Sequence, residues 1–285
     1  MAPSLHPDPS KSLLVIGAGM SRTGTMSLAY ALSILLNGPS YHAGSALWQD
    51  ERHAKRWISV FRRTPMQTRA DEAFVKDGLR WLHSGHVACM DAPSIWFIGE
   101  LIDLYPSATV IATTRDIDAW WRSMEPVMRQ YRLRALAFVF YLLPALRYWT
   151  SFIQASGHRF AELYLGDGTM TVTKEWYNRH MDYVARTCEE KGKKLHLVSI
   201  KDGWEPLCQI LSMDVPRDEK GDVVPFPRIN DGAAIEALYA MQIKRGLTAW
   251  AMLFCAVAAV AAVVAVMVGL GWAWRNGRNS SYLVT

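Results

Sequence analysis

The sequence predicts an α/β fold: a parallel sheet flanked by helices, followed by one C-terminal helix of membrane-spanning length. Three observations point there. Short apolar runs of strand length alternate with segments of helical apolar spacing, the pattern of a parallel sheet covered by helices. A glycine- and hydroxyl-rich turn within "VIGAGMSRTGTMSLAYAL" joins the first run directly to a helix. A stretch at 247–272, "LTAWAMLFCAVAAVAAVVAVMVGLGW", contains no charged residue.

In chain order, residues 1–11 are polar and proline-rich and read as a disordered arm. Residues 12–243 read as one α/β domain. Strands are expected at 12–17, 86–90, 108–114 and 194–200, and helices at 25–36, 94–104, 116–130 and 174–190. An apolar stretch at 135–146, "ALAFVFYLLPAL", contains Pro144, is bracketed by Arg132, Arg134 and Arg147, and is too short to span a bilayer. It fits an interfacial helix, a lid over an apolar substrate pocket, or a core helix. Residues 212–232, rich in Pro, Gly and Asp, read as a loop, with a short helix leading into the apolar segment.

The segment at 247–272 is long enough to cross roughly 30 Å of hydrocarbon as a helix rising about 1.5 Å per residue. Trp250, Trp272 and Trp274 stand near its ends, where indoles favour the interface. Lys244 and Arg245 flank one side, Arg275 and Arg278 the other, so charge bias sets no orientation. The expectation is a tail anchor, with the large domain in the cytosol at the endoplasmic reticulum and a short tail at 273–285 beyond the membrane. The Asn279-Ser280-Ser281 sequon lies so near the span that it is expected to go unused.

The 285 residues are 51% hydrophobic, enough for a sizeable core, and carry a net charge of +5. The basic residues are scattered and no nucleic-acid motif is present, so nucleic acid is not an expected partner. Cys89, Cys188, Cys208 and Cys255 show no CxxC spacing. This argues against a zinc site or a disulfide framework and for reduced thiols in the cytosol.

The turn after the first strand fits neither familiar phosphate template. Gly17 and Gly19 start a G-x-G-x-x-G pattern, but Arg22 stands at the third glycine. Gly19 and Gly24 have Walker spacing, but Thr25 and Met26 replace the lysine and the hydroxyl residue. Dinucleotide redox chemistry and nucleotide hydrolysis are thereby disfavoured. What remains is Ser21-Arg22-Thr23-Gly24-Thr25-Met26-Ser27 opening into a helix. Exposed amides and the helix dipole there favour an anion. Arg22 adds a bidentate cation, Thr23, Thr25 and Ser27 add hydroxyls, and Gly24 permits close backbone approach. This is a phosphate cradle whose cation precedes the glycine.

A basic residue, then Ser or Thr, then Gly-Thr, at the end of the first strand resembles the 5′-phosphosulfate loop of sulfotransferases. "VIATTRDIDAWWRSM" agrees: a strand ends at Arg115, and Ser123 follows eight positions on. More narrowly, "GAGMSRTGTMSL", "YHAG", "DAPSIWF", "YPSATVIATTRD", "IKDGWEPLC" and "PFPRIND" resemble a fungal-type branch of P-loop sulfotransferase-like proteins, over residues 13 to about 232. The resemblance implies a P-loop NTPase-like sheet and 3′-phosphoadenosine 5′-phosphosulfate as donor. It further implies that Arg115 and Ser123 grip the donor's 3′-phosphate. Read from the residues alone, Arg115 is also a strand-end arginine that can pair with Asp116 or Asp118. One departure stands out: where the family closes the adenosine site with a glycine- and lysine-rich stretch, this chain offers Arg228 and Asn230.

Sulfuryl transfer needs leaving-group stabilisation, positioning and removal of the acceptor proton, and requires no metal in principle. Arg22 is assigned the leaving phosphate, with backbone donors from Thr23, Gly24, Thr25 and Met26. Asp91, after "HVACM", is either the general base or a cap for "APSIWFIGEL"; His42 in "YHAG" is a second base candidate or a structural histidine. Trp204 and Leu207 read as structural. The expected activity is a membrane-anchored sulfotransferase-like enzyme acting on a small, lipophilic, hydroxylated acceptor. The alternative is a non-catalytic nucleotide-binding or interaction module that keeps the fold at a membrane.

Overall fold

In the computed structural model, residues 6–131, 134–164, 173–229 and 231–280 are described. The elements run β1 (Val15–Gly17), α1 (Thr25–Leu35), β2 (Ser40–His42), α2 (Ala43–Gln49), α3 (Glu51–Phe61), α4 (Arg69–His83), β3 (Ala88–Met90), α5 (Ile98–Leu104) and β4 (Thr109–Thr113). They continue with α6 (Ile117–Tyr131), α7 (Arg134–Phe140), α8 (Trp149–Tyr164), α9 (Glu175–Glu190), β5 (Leu195–Val198), α10 (Glu205–Leu211) and α11 (Asp231–Ser280). Residues 1–5 of the expected arm, Arg132, Asn230, Ser281 and the rest of the tail lie outside the described residues. Further along the arm, the Asp8 amide donates to the Gly85 carbonyl at 2.8 Å.

The five strands are parallel in the order β2-β3-β1-β4-β5. Their side chains alternate between two cores, because consecutive Cβ atoms point to opposite faces. Val15, Ala88, Met90, Ile111 and Val198 pack with Leu28, Leu32 and Leu35 of α1 and with Leu207 and Cys208 of α10. Ile16, Cys89, Val110 and Ala112 pack with Trp57 and Phe61 of α3, Leu79 of α4, Phe152 of α8 and Val184 of α9. Both faces are therefore covered, and short strands suffice.

β2 and the helices α2–α4 are absent from the sequence-based expectation. Their signals are present in retrospect. Ala54, Trp57, Ile58 and Phe61 lie at helical spacing and are buried. Thr68 and Asp71 form a capping box that starts α4. The expected short helix before the apolar segment is not separate either: α11 runs unbroken from Asp231 to Ser280. Within it Ala240–Trp274 is long and apolar enough to cross a membrane, by length and composition; Gln242 and Gly246 at its start are buried, while residues 251–274 are exposed throughout.

The apolar stretch at 135–146 packs against α11. Leu136 and Phe140 of α7, with Leu143 and Leu146 beyond it, form a small core that Ile243 of α11 joins. Trp204 and Leu207 are buried as expected, the Trp204 indole donating to the Val224 carbonyl at 2.6 Å.

Candidate active site

β1 lies at the centre of the sheet, with β3 on one side and β4 on the other. After β1 the chain moves toward β2 and β3, and after β3 it crosses to β4, so the connections diverge at the C-terminal ends of β1 and β4. Ligands of open α/β sheets sit at such a crevice. The loop at 18–24 fills it.

Two glycines make the loop possible. A Cβ on Gly19 would lie 2.2 Å from Thr113 Oγ1 and 2.5 Å from the Thr113 amide, so the loop crosses the end of β4 in backbone contact. Gly24, at φ 99°, is the left-handed N-cap of α1, and no side chain caps the helix. The first-turn amides of α1 thus point out of the cradle without a side-chain acceptor, the arrangement that attracts an anion. Arg22 adopts φ 73° and Asp91 φ 69°, the left-handed region that side chains other than Gly enter sparingly.

Surrounding side chains clamp the loop. His180 bonds the Ala18 carbonyl at 2.7 Å, the Trp120 indole donates to the Ser21 carbonyl at 2.8 Å, and Thr23 Oγ1 donates to the Met20 carbonyl at 2.6 Å. Beneath them Met20, Ile95, Trp120, Met124, Phe160, Tyr164 and Trp176 form an apolar bed.

Arg22 and Arg115 come together. Arg115 Nη1 donates to the Arg22 carbonyl at 2.9 Å, and Arg22 Nε donates to Ser123 Oγ at 3.1 Å. The carboxylates that compete for Arg115 in the sequence are used elsewhere: Asp116 accepts the Ala119 amide at the start of α6, and Asp118 pairs with Lys174. Tyr177 OH accepts the Arg115 amide at 3.0 Å, fixing the turn after β4.

The two base candidates also meet. His42, the last residue of β2, places Nδ1 3.5 Å from Asp91 Oδ2, just past β3. Ser21 Oγ donates to Asp91 Oδ1 at 2.5 Å, while Thr25 Oγ1 lies 3.1 Å from His42 Nε2 and Ser45 Oγ lies 3.2 Å from His42 Nδ1. Asp91 caps neither neighbouring helix; Pro93 and Phe97 occupy those positions. Gly44 is the reason the carboxylate fits, since a Cβ there would lie 2.4 Å from Asp91 Oδ2.

Two sequence-based assignments change in detail. The hydroxyls of Thr23 and Ser27 do not face the cradle: Thr23 bonds inward, and Ser27 Oγ accepts the Ile229 amide at 3.1 Å. Burial of both residues explains this, because a buried hydroxyl takes a protein partner. The Ile229–Ser27 bond brings the chain next to Arg228, which is exposed, up to the first turn of α1. Met26 follows Thr25 in that same turn. The clamping residues Trp120, Tyr177 and His180 and the partner Ser45 are not among the sequence-based assignments. Trp120 alone had a local signal, falling between Arg115 and Ser123.

With this geometry in place, comparison with known proteins adds two findings. The family model described as "Sulfotransferase domain" matches residues 14–235. "Ava biosynthesis cluster protein M" of Aspergillus versicolor is 27% identical over 226 residues, which is 75% of this chain and 80% of that protein.

Proposed function

We propose, on the premise that this chain belongs to the sulfotransferase domain family and is a transferase, that it moves a sulfuryl group from 3′-phosphoadenosine 5′-phosphosulfate to a hydroxyl of a small lipophilic acceptor at a membrane. The carrying observation is the loop after β1. Its helix N-terminus has no side-chain cap, and Arg22 and Arg115 are bonded to each other beside it.

The residues present fit such a donor. Gly19 lets the loop pass against the end of β4, Gly24 leaves the start of α1 without a side-chain acceptor, and the guanidinium groups of Arg115 and Arg22 bond the Arg22 carbonyl and Ser123 Oγ beside it. When bound, the donor supplies an activated sulfuryl group that an acceptor oxygen attacks in line as the bridging oxygen departs with the phosphate. Amides of Gly24, Thr25 and Met26 hold the 5′-phosphate end, and Arg22 neutralises the charge that develops there; the Thr23 amide, expected to join them, donates instead to the Met20 carbonyl at 3.2 Å. Arg115 and Ser123 hold the 3′-phosphate, with Arg228 closing from the segment bonded to Ser27. The carboxylate–imidazole pair of Asp91 and His42 takes the acceptor proton, and the loop hydroxyls of Ser21 and Thr25 keep that pair in place.

In this reading α11 is a single-pass anchor in the endoplasmic reticulum, with the catalytic domain in the cytosol. Its apolar, unburied span supports the anchor, and the free, buried Cys89, Cys188 and Cys208 suit a reducing compartment. Protease protection in sealed microsomes tests the orientation: a catalytic domain shielded from added protease would reverse it.

The central test incubates the purified chain with sulfur-labelled donor and a panel of lipophilic alcohols and phenols. Transfer is expected, with kcat falling about 10²–10³-fold in Arg22→Ala and a marked loss in Asp91→Asn. Transfer unaffected by Arg22→Ala, or calorimetry showing no donor binding to the folded wild type, overturns the proposal.

A further inference from the structure

The membrane reading of α11 leaves one feature unexplained: the outward face of α7. This short helix is held tightly on α11. A Cβ on Gly246 would lie 2.4 Å from the Val139 carbonyl, so the two backbones touch. The Phe138 ring stacks on the Trp250 indole, with centroids 4.1 Å apart and planes at 14°, and the same indole donates to the Phe138 carbonyl at 2.8 Å. Yet Phe138 and Tyr141 remain 56% and 65% exposed. The Trp250 indole stacks in turn on the Phe254 ring, with centroids 5.7 Å apart, and Leu247, Met252, Leu253 and Phe254 of α11 are exposed as well.

Helix geometry sets the level at which this patch sits. Trp250 and Trp272 are 22 residues apart, about 33 Å at 1.5 Å per residue, close to the roughly 30 Å of a hydrocarbon core. The two indoles therefore mark its two edges, where tryptophan is favoured. Phe138, stacked on Trp250, lies at the same edge. Lys244 and Arg245, exposed on the globular side of Trp250, reach the headgroup layer, where anionic lipid attracts them.

We propose that Phe138 and Tyr141 form a second membrane contact, inserted in the interfacial layer beside α11. The catalytic domain is then docked on the bilayer in one orientation and does not hang from a loose tether. The occupant of the exposed α7 face is lipid, because the ring it presents is continuous with the surface of the span. The inference rests on α11 crossing the membrane, and the experiment separates the two.

The full chain is reconstituted in vesicles of phosphatidylcholine and phosphatidylserine, with an environment-sensitive fluorophore on a single exposed cysteine. One sample uses the native Cys255, inside the span. Two others carry Cys255→Ser with either Tyr141→Cys or Lys220→Cys, the last in an exposed loop. The Tyr141 position is expected to give blue-shifted emission, quenching by shallow spin-labelled lipid and protection from aqueous iodide, while the Lys220 position stays water-like. If Cys255 reports lipid but Tyr141 is as open to iodide as Lys220, the docking proposal falls and the span stands. If Cys255 also reports water, both fall. Shielding at Tyr141 without quenching by lipid assigns the patch to a protein partner and overturns the proposal.

Discussion

Mild acid should destabilise this protein well above the pH at which its carboxylates titrate, and two buried histidines set the size of the effect. His83 bonds the Leu79 carbonyl through Nδ1 at 2.7 Å and Ser94 Oγ through Nε2 at 2.9 Å. His180 bonds the Ala18 carbonyl through Nε2 at 2.7 Å and Tyr164 OH through Nδ1 at 2.7 Å. Each neutral ring is thus satisfied by one carbonyl and one hydroxyl. Charging it would place an unsolvated cation in the core, and burial accordingly lowers His83 to about 3 and His180 to about 4.

In the unfolded chain both titrate near an ordinary value of about 6.5. Because the folded values lie below the unfolded ones, the stability these groups support is complete above pH 6.5. It is lost as pH falls toward 4 for His180 and toward 3 for His83, at about 1.4 kcal/mol per unit each. From pH 6.5 to 5 the pair therefore costs about 4 kcal/mol, a large share of the 5–15 kcal/mol typical of a domain. Burial lowers His53 and His86 as well, which adds to the same trend. Asp50 and Asp103, held low by Arg52 and by Lys191 with Lys76, act only below the ordinary carboxylate range of about 4. Urea unfolding followed by tryptophan fluorescence at pH 7, 6 and 5 measures the loss through the midpoint at constant slope. A change under about 1 kcal/mol between pH 7 and 5, or imidazole resonances of the folded protein titrating near 6.5, would refute the reasoning.

Two further outcomes follow from single contacts. Gly24→Ala imposes the left-handed penalty of about 1–2 kcal/mol and drives a Cβ to within 2.5 Å of Ile200 Cδ1. Calorimetry should show donor binding lost while circular dichroism stays native, and unchanged affinity would dissociate the cradle from the donor. Arg159→Met leaves the Glu100 carboxylate, now 2.8 Å from that guanidinium, in a site only 12% exposed. A loss of about 3–5 kcal/mol in thermal unfolding is expected, as for a buried pair broken on one side, and partial recovery with Glu100→Leu checks the cause.

Much of the architecture was legible in the chain. Val15, Ile16, Val110 and Ile111 form apolar runs that require burial on both faces, which already implies a parallel sheet between helix layers. The loop was legible for a local reason: Arg22, Gly24 and the helix that follows are contiguous, so their chemistry is written in consecutive residues. β2 was not legible. Its three residues are too few for period-two alternation to register, and only its pairing with β3 makes them a strand.

By itself, the sequence determined the cation, the glycines, the hydroxyls and the uncharged span, because each acts through its own chemistry or through neighbours a turn away. Only the tertiary structure decided which groups meet. Arg115 against the Arg22 carbonyl, His42 beside Asp91 and His180 under Ala18 are contacts between residues 49 to 162 positions apart. Such pairings arise from strand order and helix packing, which bring remote ends of the chain to one edge of the sheet, and no local periodicity encodes them.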